Sequence, residues 1–204
     1  MFRDAFKKIE GEEAAALLAR IAPKLAFSTF DPTRASVMSH PLSFYPDYHF
    51  LEIADHTQSP PKVSCVIYKD NDVTPVTWNN EPIYALNARA PITLSRDNIA
   101  EYVKFFFTYV RGKHGRFLIA ENVDDIDWRE DPPPAARKAI AKMLLPLTIK
   151  ERGADGSYKL SACMMFRDSL FQADITVSPS GAVELSNEEL LVEDMPVMDD
   201  TLGQ

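Results

Sequence analysis

Residues 95–112, with the sequence SRDNIAEYVKFFFTYVRG, are the most strongly patterned segment of the chain. On a helical wheel, the apolar and aromatic side chains of residues 99–110 cover roughly 200° of arc, whereas a surface helix needs an apolar face of little more than about 100°. Ser95 is a favourable N-cap, and Gly112 is a favourable residue just after a last turn. The segment therefore predicts a central helix over residues 95–112 that is covered on two or three sides.

Strand patterns flank this helix on both sides. Before it, short runs rich in β-branched and aromatic residues are separated by polar turn clusters. Pro75 marks one of these runs as an edge strand, because proline cannot donate to a ladder. After the helix, alternating runs joined by turn residues predict a strand and then an antiparallel meander. The predicted strands are 49–54, 62–68, 73–78 and 83–87 before the helix, and 116–121, 147–151, 158–166, 170–177 and 182–185 after it.

The remaining segments are predicted to be helical or irregular. Residues 2–9 and 12–21 show the helical spacing of apolar side chains. Residues 31–47 carry prolines among Ser, Thr and Asp, which predicts an irregular connection. A second long helix is expected after Asp131, its predicted N-cap.

Helices grouped apart from antiparallel strands indicate an α+β fold, here with antiparallel sheets packed on the central helix. The order of a helix followed by a four-stranded meander over residues 133–185 resembles the cystatin-like and NTF2-like arrangement. This resemblance concerns element order and implies a fold without implying a function. A length of 204 residues suits one α+β domain over residues 1–204. A subdivision into residues 1–94 and 95–204 is the alternative.

Composition and charge argue against several function classes. The formal net charge is −8, and the excess lies in residues 151–204, which hold 3 bases and 11 acids. No nucleic-acid partner is expected, because non-specific binding needs a basic field. No membrane partner is expected, because no apolar run approaches the ~20 residues that cross a bilayer. Cys65 and Cys163 form no close pair and the N-terminus has no secretory pattern, which favours a cytoplasmic location.

Three groups of residues are candidate ligand contacts. One flank of the central helix is expected either in the core or against an apolar cavity or a second copy of the chain. The basic end of the helix suits an anion, but it also suits the carbonyl end of the helix dipole. The polar loop after residue 77 suits a binding site or an ordinary turn. The candidates are Tyr102, Phe105 and Tyr109 on the helix, Arg111, Lys113 and His114 at its end, and Trp78, Asn79, Asn80 and Glu81 in the loop.

Recognisable motifs for metals, cofactors and catalysis are missing from the sequence. His40, His49, His56 and His114 lie more than four residues apart, which excludes zinc spacings of the HExxH type. With 7 glycines in the chain, no glycine-rich phosphate loop and no nucleophile elbow occur. We therefore expect no metal and no cofactor.

These observations favour a non-catalytic cytoplasmic binding or protein-interaction domain that uses an apolar pocket or interface beside helix 95–112. The expected partner is a small apolar molecule or a protein segment, and a homodimer is the related expectation. The alternative is an enzyme of the hydrolase or isomerase type. It would use His56 or His114 as a general base that the fold brings beside a carboxylate.

The acidic C-terminal segment is predicted to pack on the body of the protein. Residues 186–198 alternate acids with apolar side chains, and a purely solvated tail would not need the latter. Ser186 and Glu189 fit a capping box, which predicts a short helical turn there.

Overall fold

The computed structural model describes residues 6–25, 31, 33–90, 92–112 and 115–198. The chain divides into two compact units, Met1–Thr93 and Leu94–Gln204. This boundary lies one residue from the subdivision that the sequence offered as an alternative to a single domain. The architecture is α+β, as predicted, with helices and two antiparallel five-stranded sheets.

The first unit is one antiparallel sheet with two helices among its described residues. The strands run in the order β1-β2-β3-β4-β5, so Pro75 lies on an edge strand, as predicted. The elements are β1 (Lys7–Ile9), α1 (Gly11–Ile21), β2 (Ala35–Pro41), β3 (His49–Asp55), β4 (Lys62–Lys69), β5 (Asp72–Val76) and α2 (Glu81–Arg89).

Helix α1 covers one face of this sheet. Its buried side chains include Leu17, Leu18 and Ile21, which the helical spacing had placed on one face. They pack against Leu51 and Val66, a directly paired couple on β3 and β4. Burying such aliphatic side chains supplies roughly 1.5–3 kcal/mol each, so this contact holds the helix on the sheet.

Two predictions for the beginning of the chain were wrong. Residues 7–9 form strand β1, which pairs Ile9 with Val37 of β2, whereas residues 2–5 lie outside the described residues. Residues 31–47 contain strand β2, which pairs with β3 along its whole length. In both cases the pairing of backbone groups across the sheet outweighs the local pattern, because buried backbone amides require partners.

The segment 83–87 was predicted as a strand but lies in helix α2. Pro82 stands in the first turn, where its missing N–H costs no helical hydrogen bond. Ile83, Leu86 and Asn87 are the buried residues of the helix. Their three- and four-residue spacing is a helical signal that the aromatic and β-branched composition had obscured.

The second unit contains a helix pair and the predicted meander. Its sheet has the order β10-β9-β8-β6, and β7 also pairs with β8. The resemblance to the cystatin-like and NTF2-like order stays a prediction. The elements are α3 (Ile99–Tyr109), β6 (Phe117–Ile119), α4 (Pro134–Met143), β7 (Thr148–Arg152), β8 (Tyr158–Phe166), β9 (Ser169–Val177) and β10 (Val183–Val192).

Helix α3 is shorter than the predicted span of 95–112. The backbone N–H of Ser95 donates to Asn98 Oδ1 at 2.8 Å, which makes residues 95–98 a turn and starts the helix at Ile99. It ends at Tyr109, because Val110 has extended backbone angles. The predicted stop at Gly112 therefore lies beyond the helix.

Helix α4 lacks the predicted cap at Asp131. It begins at Pro134 after Pro133, and no side chain caps its first turn. Three consecutive prolines explain the difference, since proline needs no partner for its nitrogen and has a fixed φ that suits a first turn.

Strand β8 is buried on both faces. Leu160 and Ala162 face one side, while Cys163 and Met165 face the other, and none is more than 6% exposed. The second pair packs against a cluster that includes Ile140 of α4. This two-sided burial explains why the strand is an almost continuous apolar run.

The acidic end of the chain forms a strand instead of the predicted helical turn at Ser186. Strand β10 pairs with β9 over its length, with a register shift between Ser186 and Glu189. The shift contains Asn187, which has a left-handed φ of 54°. A bulge of this kind bends an edge strand and discourages further pairing.

Residues beyond β10 complete the second core, which confirms the predicted packing of the segment. Met195 and Val197 are each 5% exposed and belong to the cluster beside β8. Val197 also forms a β-bridge with Trp128, flanked by hydrogen bonds from Arg129 N to Pro196 O at 2.9 Å and from Met198 N to Asp127 O at 2.8 Å. Apolar burial and backbone pairing together fix this segment.

We predict that Phe105→Ala lowers the free energy of unfolding of the second unit by about 3–5 kcal/mol, because it leaves a cavity at a fully buried position. Trp128 fluorescence in a Trp78→Phe background reports this unit during chemical denaturation. Thr108→Ala, at a half-buried position on the same helix, is the control and should cost about 1 kcal/mol or less. A loss below about 1 kcal/mol for Phe105→Ala would contradict the packing of α3.

Candidate functional site

The aromatic row predicted as a ligand surface lies in the core. Tyr102 and Phe105 have no exposed surface, and Tyr109 retains 6%. The Tyr102 hydroxyl donates to the Gly181 carbonyl at 2.5 Å, and the rings of Phe105 and Tyr109 lie 5.1 Å apart. Contacts within the second unit therefore engage this row, and a ligand beside α3 stays a prediction.

The predicted basic site is only partly described. Arg111 is half-buried after the end of α3, and Lys113 and His114 lie outside the described residues. Gly112 N donates to Gly115 O at 2.8 Å, and Gly115 N donates to Gly112 O at 3.3 Å. Both glycines thus use backbone amides within the chain, and the anion-binding role stays a prediction.

The polar loop candidates lie where β5 leads into α2. Asn79 is engaged locally: its Nδ2 donates to Thr77 Oγ1 at 3.1 Å, and its Oδ1 accepts from Glu81 N at 3.1 Å. Trp78 has a left-handed φ of 65° and is 40% exposed. Asn80 precedes the first residue of α2, Glu81. The contacts of Asn79 are those of a turn that starts a helix.

A polar cleft of about 450 Å³ lies elsewhere in the first unit. It forms where the last turn of α1 meets the β3–β4 hairpin, at the edge of the sheet face that α1 covers. Antiparallel pairing sets His49 directly opposite Tyr68, which brings the start of β3 and the end of β4 together. The lining residues are Arg20, Asp47, His49, Tyr68, Lys69 and Asp70.

Lys69 and Asp47 form an ion pair on one side of the cleft. The Lys69 ammonium lies 3.0 Å from the Asp47 carboxylate and 5.7 Å from the centre of the Tyr48 ring. Asp47 has a left-handed φ of 67°, a conformation that Asp tolerates better than most residues. The charges of the two side chains largely cancel, so neither is the natural contact for a ligand.

His49 and Tyr68 supply the aromatic part of the cleft. Their ring centres lie 5.8 Å apart, and His49 Nδ1 lies 3.4 Å from Ser39 Oγ. Tyr68 packs against the core cluster beneath α1. Burial raises the pKa of Tyr68, Arg20 opposes that rise, and Glu13 adds to it. Tyr68 therefore keeps its hydroxyl proton at neutral pH and acts as a hydrogen-bonding group beside a cation.

Arg20 and Asp70 are the two charged groups of the cleft that form no ion pair within the described residues. Within the described residues, neither side chain forms an ion pair or a hydrogen bond. Arg20 lies in the last turn of α1. Asp70 lies in the two-residue turn between β4 and β5, with a left-handed φ of 52°. One free guanidinium and one free carboxylate thus line the same cleft.

A hydrogen-bonded network holds the loop beneath the cleft. Tyr48 Oη donates to Asp72 Oδ2 at 2.8 Å, and Arg89 of α2 donates to both carboxylate oxygens, at 3.2 and 2.9 Å. Arg89 also donates to Thr74 Oγ1. The Arg89 hydrogen bond is the main cause that lowers the pKa of Asp72, although burial opposes it. Because Tyr48 lies between Asp47 and His49, this network positions both cleft residues.

Two histidines were predicted as general bases for the alternative enzyme: His56 lies beside a hydroxyl group, and His114 lies outside the described residues. Ser36 Oγ lies 2.9 Å from His56 Nε2, and Arg34 Nη2 donates to the His56 carbonyl at 2.8 Å. Asp55, the neighbouring carboxylate, accepts from Thr57 N at 2.9 Å. The structure thus provides a Ser36–His56 contact, whereas the neighbouring Asp55 carboxylate is engaged with the backbone.

Other reactive groups are in unreactive surroundings. Burial raises the pKa of the Cys65 thiol to about 12, with a smaller contribution from Glu52, so it stays protonated at neutral pH.

In the part of the chain that the structure describes, no three His, Cys, Asp or Glu side chains lie close enough to hold a metal ion. None of the helices among the described residues is long and apolar enough to cross a bilayer.

Comparisons with protein-family models, with curated proteins and with solved structures find no match for this chain. Its function is therefore inferred from side-chain chemistry. The sequence did not predict the cleft, because its residues come from three separate segments that share no motif. The one available signal was the pair of acidic turns at Asp47 and Asp70, which an antiparallel β3–β4 hairpin brings to the same end of the sheet.

We predict that Asp72→Asn lowers the stability of the first unit at neutral pH by about 1 kcal/mol, since solvent screens these partly exposed partners. Because folding lowers the pKa of Asp72, its carboxylate stabilises the wild type at pH values above its unfolded pKa of about 3.9. This stabilisation is lost as the pH falls through the pKa of Asp72 in the folded state. The difference between wild type and variant should therefore shrink below about pH 4. Denaturation followed by Trp78 fluorescence in a Trp128→Phe background measures it. An unchanged difference at pH 3 and pH 7 would contradict this role.

Proposed function

We propose that the protein is a non-catalytic binding protein whose cleft in the first unit takes a small organic anion. The observation that carries this proposal is Arg20, a guanidinium at a cleft of about 450 Å³ with no ion pair among the described residues. Guanidinium groups match carboxylates in shape and form paired, charge-assisted hydrogen bonds. A volume of this size suits a small molecule.

The side chains around Arg20 support a polar ligand in place of the apolar one expected from the sequence. Tyr68 offers a hydroxyl and part of a ring face beside Arg20, and His49 lies across from it. A half-buried aromatic ring next to a cation favours a flat or short-chain carboxylate. The acidic net charge of the chain reduces long-range attraction of anions, so recognition must come from this local geometry.

Cytoplasmic location and a homodimer belong to the same proposal as secondary elements. Two cysteines that are both free and buried suit a reducing compartment. Met143 and Leu145, near the end of α4, are 42% and 50% exposed and are the apolar contacts that a second copy would cover. Sedimentation of the wild type and of Leu145→Glu tests the dimer, since an added charge would disperse it.

We predict that benzoate and pentanoate bind at Arg20 with dissociation constants in the range of about 1–10 mM, as expected for small fragments. NMR of the arginine side-chain Nε–H groups during titration should show a saturating shift for Arg20. In Arg20→Gln, the NMR signals of the other cleft residues should no longer show a saturating shift. Arg96→Gln, the same change on an exposed arginine of the second unit, should leave those shifts unchanged. Shifts that stay linear and equal at Arg20 and Arg96 would refute the proposal.

The Ser36–His56 contact favours one second candidate, an acyl-transfer activity. In such a reaction Ser36 Oγ would attack an ester carbonyl, His56 Nε2 would take the hydroxyl proton, and the alcohol or phenolate would leave. The 2.9 Å contact provides the required proton path. Because this contact is exposed, water is not excluded from it, and only an already reactive ester would be a substrate.

We predict that, if this second activity exists, p-nitrophenyl acetate acetylates Ser36 and releases p-nitrophenolate. Mass spectrometry of peptides locates the acetyl group. Ser36→Ala and His56→Gln should each remove it, while Ser39→Ala, which alters a longer serine–histidine contact of 3.4 Å, should leave it unchanged. Acetylation that persists in His56→Gln, or that falls only on lysines, rules out the dyad.

A further inference from the structure

We infer that the ligand of the cleft carries an ammonium group as well as a carboxylate. This inference rests on the proposed function and extends it to the class of small zwitterions such as ω-amino acids. The cleft has two cations and two carboxylates, and only one member of each sign is paired. The unpaired members, Arg20 and Asp70, are the groups left for a ligand.

The charge balance of the cleft argues against a ligand with a single charge. A simple anion that reaches Arg20 also approaches the carboxylates of Asp47 and Asp70, and a simple cation approaches Arg20 and Lys69. A like charge lining the same cleft weakens the binding of a charged group, whereas an opposite charge strengthens it. A zwitterion places each of its charges next to an opposite one, with no excess charge in the cleft.

The two unpaired groups differ in the chemistry that they recognise. Arg20 has only donors, in a planar fork that fits a carboxylate. Ionised Asp70 has only acceptors, which suit the three N–H donors of an ammonium. The left-handed turn between β4 and β5 fixes the backbone of Asp70. The ligand is thereby given an orientation, with its carboxylate towards the end of α1 and its ammonium towards the β4–β5 turn.

The aromatic side chains lie in the same cleft as both charges. Tyr68 directly precedes Lys69 and lies two residues before Asp70, and the positive charge of Arg20 acts to lower the pKa of its phenol against the larger effect of burial. The His49 and Tyr68 rings, 5.8 Å apart, offer a surface for the methylene chain of an amino acid. A ring face also attracts an ammonium group, which adds to the contribution of Asp70.

A matched set of probes tests the inference on the full chain. The probes are 5-aminopentanoate, pentanoate and pentylamine, which share one chain length and differ in charge. The shorter 3-aminopropanoate tests how far apart the Arg20 and Asp70 contacts lie, because its carboxylate and ammonium are closer together. Binding is followed by the Arg20 Nε–H and the Asp70 backbone amide in NMR titrations. The variant Asp70→Asn keeps the left-handed turn, because Asn tolerates that conformation as well as Asp does.

We expect one of the two amino acids to bind about tenfold more tightly than pentanoate, as one added charge-assisted contact would give. Asp70→Asn should remove this advantage and leave pentanoate affinity unchanged or slightly higher. If both amino acids bind no better than pentanoate, or if Asp70→Asn preserves the ratio, the inference fails while the proposed anion site stands. If no probe shifts Arg20 to saturation, both the inference and the proposed function fail.

Discussion

The Asp72 carboxylate is the polar contact on which the position of the loop before β3 depends. It accepts hydrogen bonds from Tyr48 in the loop before β3 and from Arg89 on α2, and it starts β5 itself. One side chain thus joins three segments that are distant in sequence. Since a buried tyrosine hydroxyl and a guanidinium both need acceptors, removing this carboxylate leaves donors unpaired on two elements. The residues on either side of Tyr48, which line the cleft, owe their positions to this contact.

The second unit depends on apolar burial in place of a polar centre. Strand β8 is the only strand among the described residues that pairs with three others, β6, β7 and β9. Both of its faces are buried, so its side chains contribute to two layers at once. A single polar substitution at Ala162 or Cys163 would desolvate a group without a partner, which costs more than most surface changes.

Much of the fold could be predicted where local and tertiary preferences agree. Strands β3, β4, β8 and β9 have β-branched or alternating sequences and lie at the predicted positions. Prediction failed where pairing overrode local pattern, as in β2 with its prolines and in β10 with its apparent helix cap. Helix α2 shows the opposite error, because Ile83 and Tyr84 suggested a strand although the burial spacing is helical.

The cleft could not be predicted from the sequence for a geometric reason. Arg20 reaches it from the end of α1, and the other lining residues come from the start of β3 and the end of β4 with the turns beside them. Only the register of β3 against β4, which sets His49 opposite Tyr68, brings them together. Conversely, the aromatic row of α3 is a clear pattern in the sequence, but the same pattern is expected of any helix that is covered on several sides.

The bridge between Val197 and Trp128 has a consequence for how the protein is made. Residues 127–129 form backbone hydrogen bonds with residues 196–198, so the ribosome must have released nearly the whole second unit before this contact forms. Until then, the cluster around Cys163 and Met165 lacks the cover of Met195 and Val197. Nascent chains at this stage expose apolar surface and an unpaired strand edge, the features that chaperones recognise and that promote aggregation. The period during which the nascent chain can aggregate therefore lasts until residues 195–197 have been translated and cover this cluster.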